Sequence, residues 1–116
     1  MKLSNSYIGL PEDFYQVINP LPVKSPKLIA FNEDLANDLS LSMDPDEALK
    51  YFSGNSIPDN TTPIALNYAG HQFGNFVHEL GDGRATLLGE IEVEKERFDV
   101  QLKGSGPTKF SRQGDG

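Results

Sequence analysis

A chain of 116 residues with 37% hydrophobic and 23% charged residues is long enough for one modest core and too apolar for wholesale disorder. Ten Lys and Arg stand against seventeen Asp and Glu, a formal charge of −7 that argues against nucleic acid or an anionic membrane as a partner held by bulk electrostatics. The absence of cysteine excludes a disulfide framework and a thiolate metal site, and no apolar run approaches the roughly 20 residues that span a bilayer.

The opening, Met1 to Tyr7, lacks the apolar stretch of a secretory signal and the arginine-rich pattern of a transit peptide, so a cytoplasmic location is the expectation. The first thirty residues hold Pro11, Pro20, Pro22 and Pro26 with scattered aromatics (Tyr7, Phe14, Tyr15), the pattern of an extended arm packed against something larger. Asn32 is placed to cap a short helix with Glu33 and Asp34 in its first turn and Leu35 and Leu39 as its apolar stripe. A second helix is marked at both ends: Asp44 as cap, Pro45 at the first helical position and Glu47 three residues after the cap, with Leu49 and Phe52 inward and Gly54 as the stop.

Residues 56–63 read as a polar, proline-bounded loop, and the sequon at Asn60 falls within it. Ile64 to Tyr68 reads as a short buried helix, while Ala69 to Gly74 is interrupted by glycine and fits no single period. From Phe76 the pattern is β: Phe76 to Leu80, a turn at Gly81-Asp82-Gly83, then a strand in which Leu87, Ile91 and Val93 alternate with Glu90, Glu92 and Glu94. A turn over Lys95-Glu96 returns the chain through Phe98, Val100 and Leu102. Alternation sets Lys103 with Gln101 and Asp99, away from the Phe98, Val100 and Leu102 face. The fold class expected is α+β: an arm with two short helices over residues 1–63, then an antiparallel sheet over 64–116.

The chemistry-bearing residues cluster late. Gly81 and Gly83 let the backbone approach a ligand with no Cβ in the way, and their N–H groups could face an anion. Arg84 follows at once, and Lys103 stands about one hairpin away beside Gly104, Gly106 and Pro107. A glycine turn with a strand lysine at that distance suits a nucleotide triphosphate. Each part has a plainer reading. Asp-Gly is a common hairpin turn, Arg84 could pair with Asp82 or Glu79, and a lone strand-end lysine is usually only solvated. His71 and His78 are not at metal-ligand spacing, which argues against zinc. Ser105, Thr108 and Ser111 have no histidine in plausible sequence context to activate them, and the alternating glutamates read as a solvated strand face.

Taken together, Tyr68-Ala-Gly-His-Gln-Phe-Gly74, Leu80-Gly-Asp-Gly-Arg-Ala85, Leu88-Gly-Glu90 and Gln101-Leu-Lys-Gly-Ser-Gly-Pro-Thr108 closely resemble the selenoprotein O family, also labelled YdiU. Asn5-Ser6-Tyr7, Leu10-Pro11, Phe14-Tyr15, Pro20 and Ala30-Phe31-Asn32 are similar to that family's amino-terminal arm. The resemblance implies a protein-kinase-like fold, with the sheet as part of its N-lobe, that transfers AMP from ATP to protein hydroxyls. It places nucleotide contacts on Gly81, Gly83, Arg84, Lys103, Asp115 and Gly116. Lys109, Phe110 and Gln113 depart from the family's usual residues, which bears on local loop shape. The resemblance also implies that the catalytic base and the ligands of Mg²⁺ lie beyond residue 116, in a longer protein of which this is the amino-terminal part. The chain alone is therefore expected to be inactive. A reading from another class is a pseudokinase that binds nucleotide as a scaffold; the residues beyond 116 discriminate the two.

Overall fold

The computed structural model describes all of residues 1–116. Two 3-10 turns, Ser6–Gly9 and Glu12–Phe14, precede strand β1, Tyr15–Val17. Helix α1 spans Glu33–Asp38 and begins where the Asn32 side chain accepts the Leu35 N–H at 2.9 Å. Helix α2 spans Pro45–Phe52, with the Asp44 carboxylate accepting the Glu47 N–H at 2.8 Å and Gly54 leaving the helix at a φ of +79°. The buried residue of each helix is a small one, Ala36 in α1 and Ala48 in α2; Phe52 packs half-buried against the core as expected, while Leu35 stays half-exposed. Asp44→Ala removes the cap's acceptor and should lower stability by about 1 kcal/mol, read as a shifted urea midpoint with an unchanged slope.

Six strands form two sheets. Strands β1, β2 (Ile64–Leu66), β5 (Ala85–Val93) and β6 (Glu96–Lys103) make a four-stranded antiparallel sheet in the order β1-β2-β5-β6. Strands β3 (Gly70–Gln72) and β4 (Asn75–Val77) pair only with each other. The fold is thus α+β with an antiparallel sheet, consistent with a kinase-like N-lobe. No helix is long and apolar enough to cross a membrane.

Central strand β5 is buried from Ala85 to Ile91. A bulge between Leu87 and Gly89 shifts its phase by one residue. Leu88 and Ile91 therefore join Leu3 and Leu102 in the core, with Phe52, Val93 and Val100 packed around them, whereas Leu87 sits opposite Ile64 and Gln101. Simple alternation puts Leu87 with Ile91; the inserted residue separates them.

The arm is part of this architecture. Residues 15–17 form the sheet's outer strand, and Ser4 bridges Glu90 with its N–H 3.0 Å from the Glu90 carbonyl. Gly89 makes that approach possible, because a Cβ there would lie 2.6 Å from the Ser4 carbonyl oxygen. Glu90, expected on a solvated face, is only 5% exposed. Its carboxylate accepts the Ser6 N–H and, at 3.0 Å, the Ser6 hydroxyl, and Arg97 approaches it at 3.8 Å. A buried carboxylate needs such partners, and the arm supplies most of them.

Three further expectations are corrected. Ile64 to Tyr68 is not a helix: Ile64, Ala65 and Leu66 form β2, held between β1 and β5, and tertiary pairing overrides a segment too short to show a period. The 81–83 turn does not join two paired strands, because β4 turns back on β3 instead. The hairpin after β5 turns over Glu94 and Lys95, both at positive φ (48° and 77°), one residue earlier than expected.

Candidate nucleotide-binding site

The 81–84 segment packs as a close crossing of backbone. Gly81 takes a φ of +66°, and a Cβ on it would lie 2.6 Å from Cγ of Phe110; one on Gly83 would lie 2.9 Å from the Phe110 carbonyl oxygen. The two glycines thus admit the loop that follows β6. Their N–H groups are not free to face an anion. Gly81 donates to the Tyr68 carbonyl at 3.2 Å, Asp82 to the Leu66 carbonyl at 2.8 Å and Gly83 to the Gly81 carbonyl at 3.2 Å. The space that a side chain would take at these positions is filled by Phe110 and the backbone that follows it.

Arg84 and Lys103 stand at the same end of the β5–β6 ladder, one register position apart. Lys103 pairs with Ala85, and the next hydrogen bond outward runs from the Gly104 N–H to the Arg84 carbonyl at 2.7 Å. Both cations are exposed. The ion pair recorded in the chain is Arg97 with Glu90, so Arg84 pairs with neither Asp82 nor Glu79. Lys103 is exposed next to the buried Leu102, and Gln101, two residues before it on the same face, reaches the Asp82 carboxylate at 3.1 Å. The 81–83 turn therefore overlies the face that Lys103 shares.

The loop after Lys103 is fastened along its length. Ser105 shares a buried hydrogen bond with Thr86 at 2.8 Å and accepts the Leu21 N–H on its carbonyl at 2.9 Å. The Thr108 hydroxyl donates to the Asp82 carbonyl and the Ser111 hydroxyl to the Gly83 carbonyl, each at 2.6 Å. Arg112 holds the β3–β4 hairpin, donating to the Gln72 side chain at 2.9 Å and the Glu79 carbonyl at 3.0 Å. These hydroxyls work as struts, in keeping with the weak case for a serine nucleophile. The chain then turns through Arg112 and Gln113, both at positive φ, to an exposed Asp115, and Gly116 lies against Gly106 and Pro107. Gly81, Gly83, Arg84 and Lys103 are thus joined through one ladder and one loop, and Gly116 returns to within a few residues of Lys103.

Asp82 is the residue that sequence reasoning passed over as a turn former. It is 7% exposed, and its carboxylate accepts the Leu66 N–H and the Tyr68 hydroxyl, each at 3.0 Å, besides Gln101. No local signal marks it, since its partners lie 14 to 19 positions away.

Burial first, and then the hydrogen bond to Asp82, raise the Tyr68 phenol above the usual value near 10. Tyr7 is raised by burial and by its 3.1 Å bond to Asp99. Each phenol's folded value exceeds its unfolded one, so the stabilisation is complete below pH of about 10 and is lost as pH climbs through the raised values. Phenolate absorbance should show two of the four tyrosines ionising late. Tyr7→Phe and Tyr68→Phe should each delete one late component.

The other features are less suited to a triphosphate. A groove of about 320 Å³ beside β6, α1 and α2 is walled chiefly by apolar residues such as Phe31, Leu39 and Phe52, and no lysine or arginine lines it. His71 and His78 stack edge-on against Phe76 at 5.5 and 4.8 Å. No group of three or more His, Asp or Glu residues is placed to hold a metal ion.

The family model described as "Protein adenylyltransferase SelO" matches residues 1–116. Among curated proteins, the chain is 58% identical to the protein nucleotidyltransferase YdiU of Agrobacterium fabrum over 120 aligned residues, covering 100% of this chain and 25% of the relative. It is 55% identical to the protein of the same name from Roseobacter denitrificans, covering 97% of this chain and 24% of the relative, and 53% identical to that of Bacillus cereus, covering 98% and 24%. The chain spans about a quarter of the length of these relatives.

Proposed function

The chain belongs to the SelO protein adenylyltransferase family, and from that premise we propose that the full-length protein transfers AMP from ATP to Ser, Thr or Tyr hydroxyls of other proteins, with residues 1–116 supplying part of the grip on the nucleotide. The observation that carries this reading is the pair Arg84 and Lys103: two exposed cations, free of carboxylate partners, at the same end of one β-ladder. Such a pair suits a polyanion. Arg84 can fork onto phosphate oxygens, Lys103 can place a compact ammonium between phosphates, and Gly81 and Gly83 contribute through the backbone they bring beside Arg84. Asp115 and Gly116 complete the contacts in this reading. Mg²⁺, with its ligands outside residues 1–116, would neutralise further phosphate charge when bound.

The substrate hydroxyl oxygen bonds to the α-phosphorus, the bond from that phosphorus to the oxygen bridging the β-phosphate breaks, and pyrophosphate leaves. The hydroxyl proton goes to a base outside this segment. Arg84 and Lys103 stabilise the charge that gathers on the leaving pyrophosphate. The reading locates the protein in the cytoplasm, where ATP and its protein substrates are at hand.

Full-length protein incubated separately with α-labelled and γ-labelled ATP tests this. Adenylyl transfer leaves only the α label on protein; ATP binding with no label transferred would favour a nucleotide-binding scaffold. Residues 1–116 alone should transfer no label.

A further inference from the structure

We infer that Asp82 is a positioning residue of the nucleotide site, locking the segment that carries Arg84 to the strand that carries Lys103. The inference rests on the function proposed above.

Asp82 ties together four segments. Its Oδ2 accepts the Leu66 N–H at the end of β2 and the Gln101 side-chain amide from β6, and its Oδ1 accepts the Tyr68 hydroxyl. Its own N–H donates to the Leu66 carbonyl, and its carbonyl accepts the Thr108 hydroxyl from the loop leading to Asp115. Every polar group of the residue thus has a protein partner. With both carboxylate oxygens occupied by donors, Asp82 is built to hold position rather than to take a proton from substrate or to ligate a metal.

The placement makes that hold matter for the ligand. Arg84 lies two residues after Asp82, and Lys103 lies two residues after Gln101, on the same strand face. A displacement at Asp82 therefore changes the separation of the two cations that would grip the phosphates. Losing the acceptor also removes the three bonds that tie Leu66, Tyr68 and Gln101 to this segment, so the segments would relax apart. Misplacement by about 1 Å can lower a rate by as much as about a hundred-fold.

The test uses the full-length protein, with α-label transfer measured against ATP concentration and melting followed in parallel. Asp82→Ala should raise the KM for ATP and lower kcat/KM by about ten-fold or more. Asp82→Asn should stay within a few-fold of wild type, because its amide oxygen can face the two N–H donors while its NH₂ donates to the Tyr68 oxygen. Gly89→Ala, which disturbs the docking of the arm, serves as a destabilised control and should lower the melting temperature without moving KM. Should Asp82→Ala fail to fold, Gln101→Leu, which removes one donor, should raise KM on its own.

Equal losses in Asp82→Asn and Asp82→Ala would show that charge matters rather than the hydrogen-bond frame, and would overturn the inference. So would a lowered melting temperature with unchanged KM and kcat in Asp82→Ala, or an unchanged KM in Gln101→Leu. Wild-type protein that transfers no α label defeats the proposed function itself. Transfer that stops in Lys103→Ala but is indifferent to Asp82→Ala defeats this inference alone.

Discussion

Lys103→Ala in the full-length protein should abolish most AMP transfer while leaving the fold intact. The side chain is exposed at the end of β6, makes no ion pair and packs no core residue; its neighbour Leu102 does that. Exposed substitutions of this kind change stability by no more than about 0.5 kcal/mol. Loss of a group that stabilises developing charge in a closed site commonly costs about 10²–10³ in rate. Activity should therefore fall much further than melting temperature. Lys103→Arg should rescue poorly, since a planar guanidinium does not replace a compact ammonium aimed between phosphates. Near-normal transfer from α-labelled ATP by Lys103→Ala would return Lys103 to the status of a solvated strand lysine and remove the main support for the site.

Gly81→Ala should give the opposite pattern, a large loss of stability. Its φ of +66° costs an L-residue about 1–2 kcal/mol, and the new Cβ would sit 2.6 Å from Cγ of Phe110. Overpacking of that kind adds about 1–3 kcal/mol, so the expected loss is about 2–5 kcal/mol against a typical total of about 5–15. Gly9→Ala, where a Cβ meets nothing within 4 Å, should be nearly neutral. Phe110→Ala combined with Gly81→Ala should lose less than the sum of the two, because the first removes what the second strikes. A denaturation midpoint for Gly81→Ala matching that of Gly9→Ala would show that the 81–83 crossing is looser than described.

The residues differ in how far they could be read in advance. Helix α2 was legible because its cap, its Pro45 and its stop at Gly54 all lie within eleven residues and act locally. The β5–β6 hairpin was legible from two alternating runs with a short turn between them, and so was the outward placement of Lys103, because the bulge that upset the alternation lies in β5 and leaves β6 regular. Strand β2 was not, since three residues show no period and its strand character comes from β1 and β5 on either side. Glu90 misled for the same reason: its spacing places it among solvated glutamates, but the arm from 84 positions earlier covers it.

By itself the sequence determined the family, the capped helices, the long hairpin and the two cations, because long residue words and short-range stereochemistry are written in adjacent positions. Tertiary structure alone decided that the 81–83 turn spends its N–H groups on its own backbone, that Gly81 and Gly83 make room for Phe110, and that Asp82 joins the segments bearing Arg84 and Lys103. Those outcomes depend on which distant donors and side chains arrive at a buried point. That is a property of the closed chain, and no local pattern carries it.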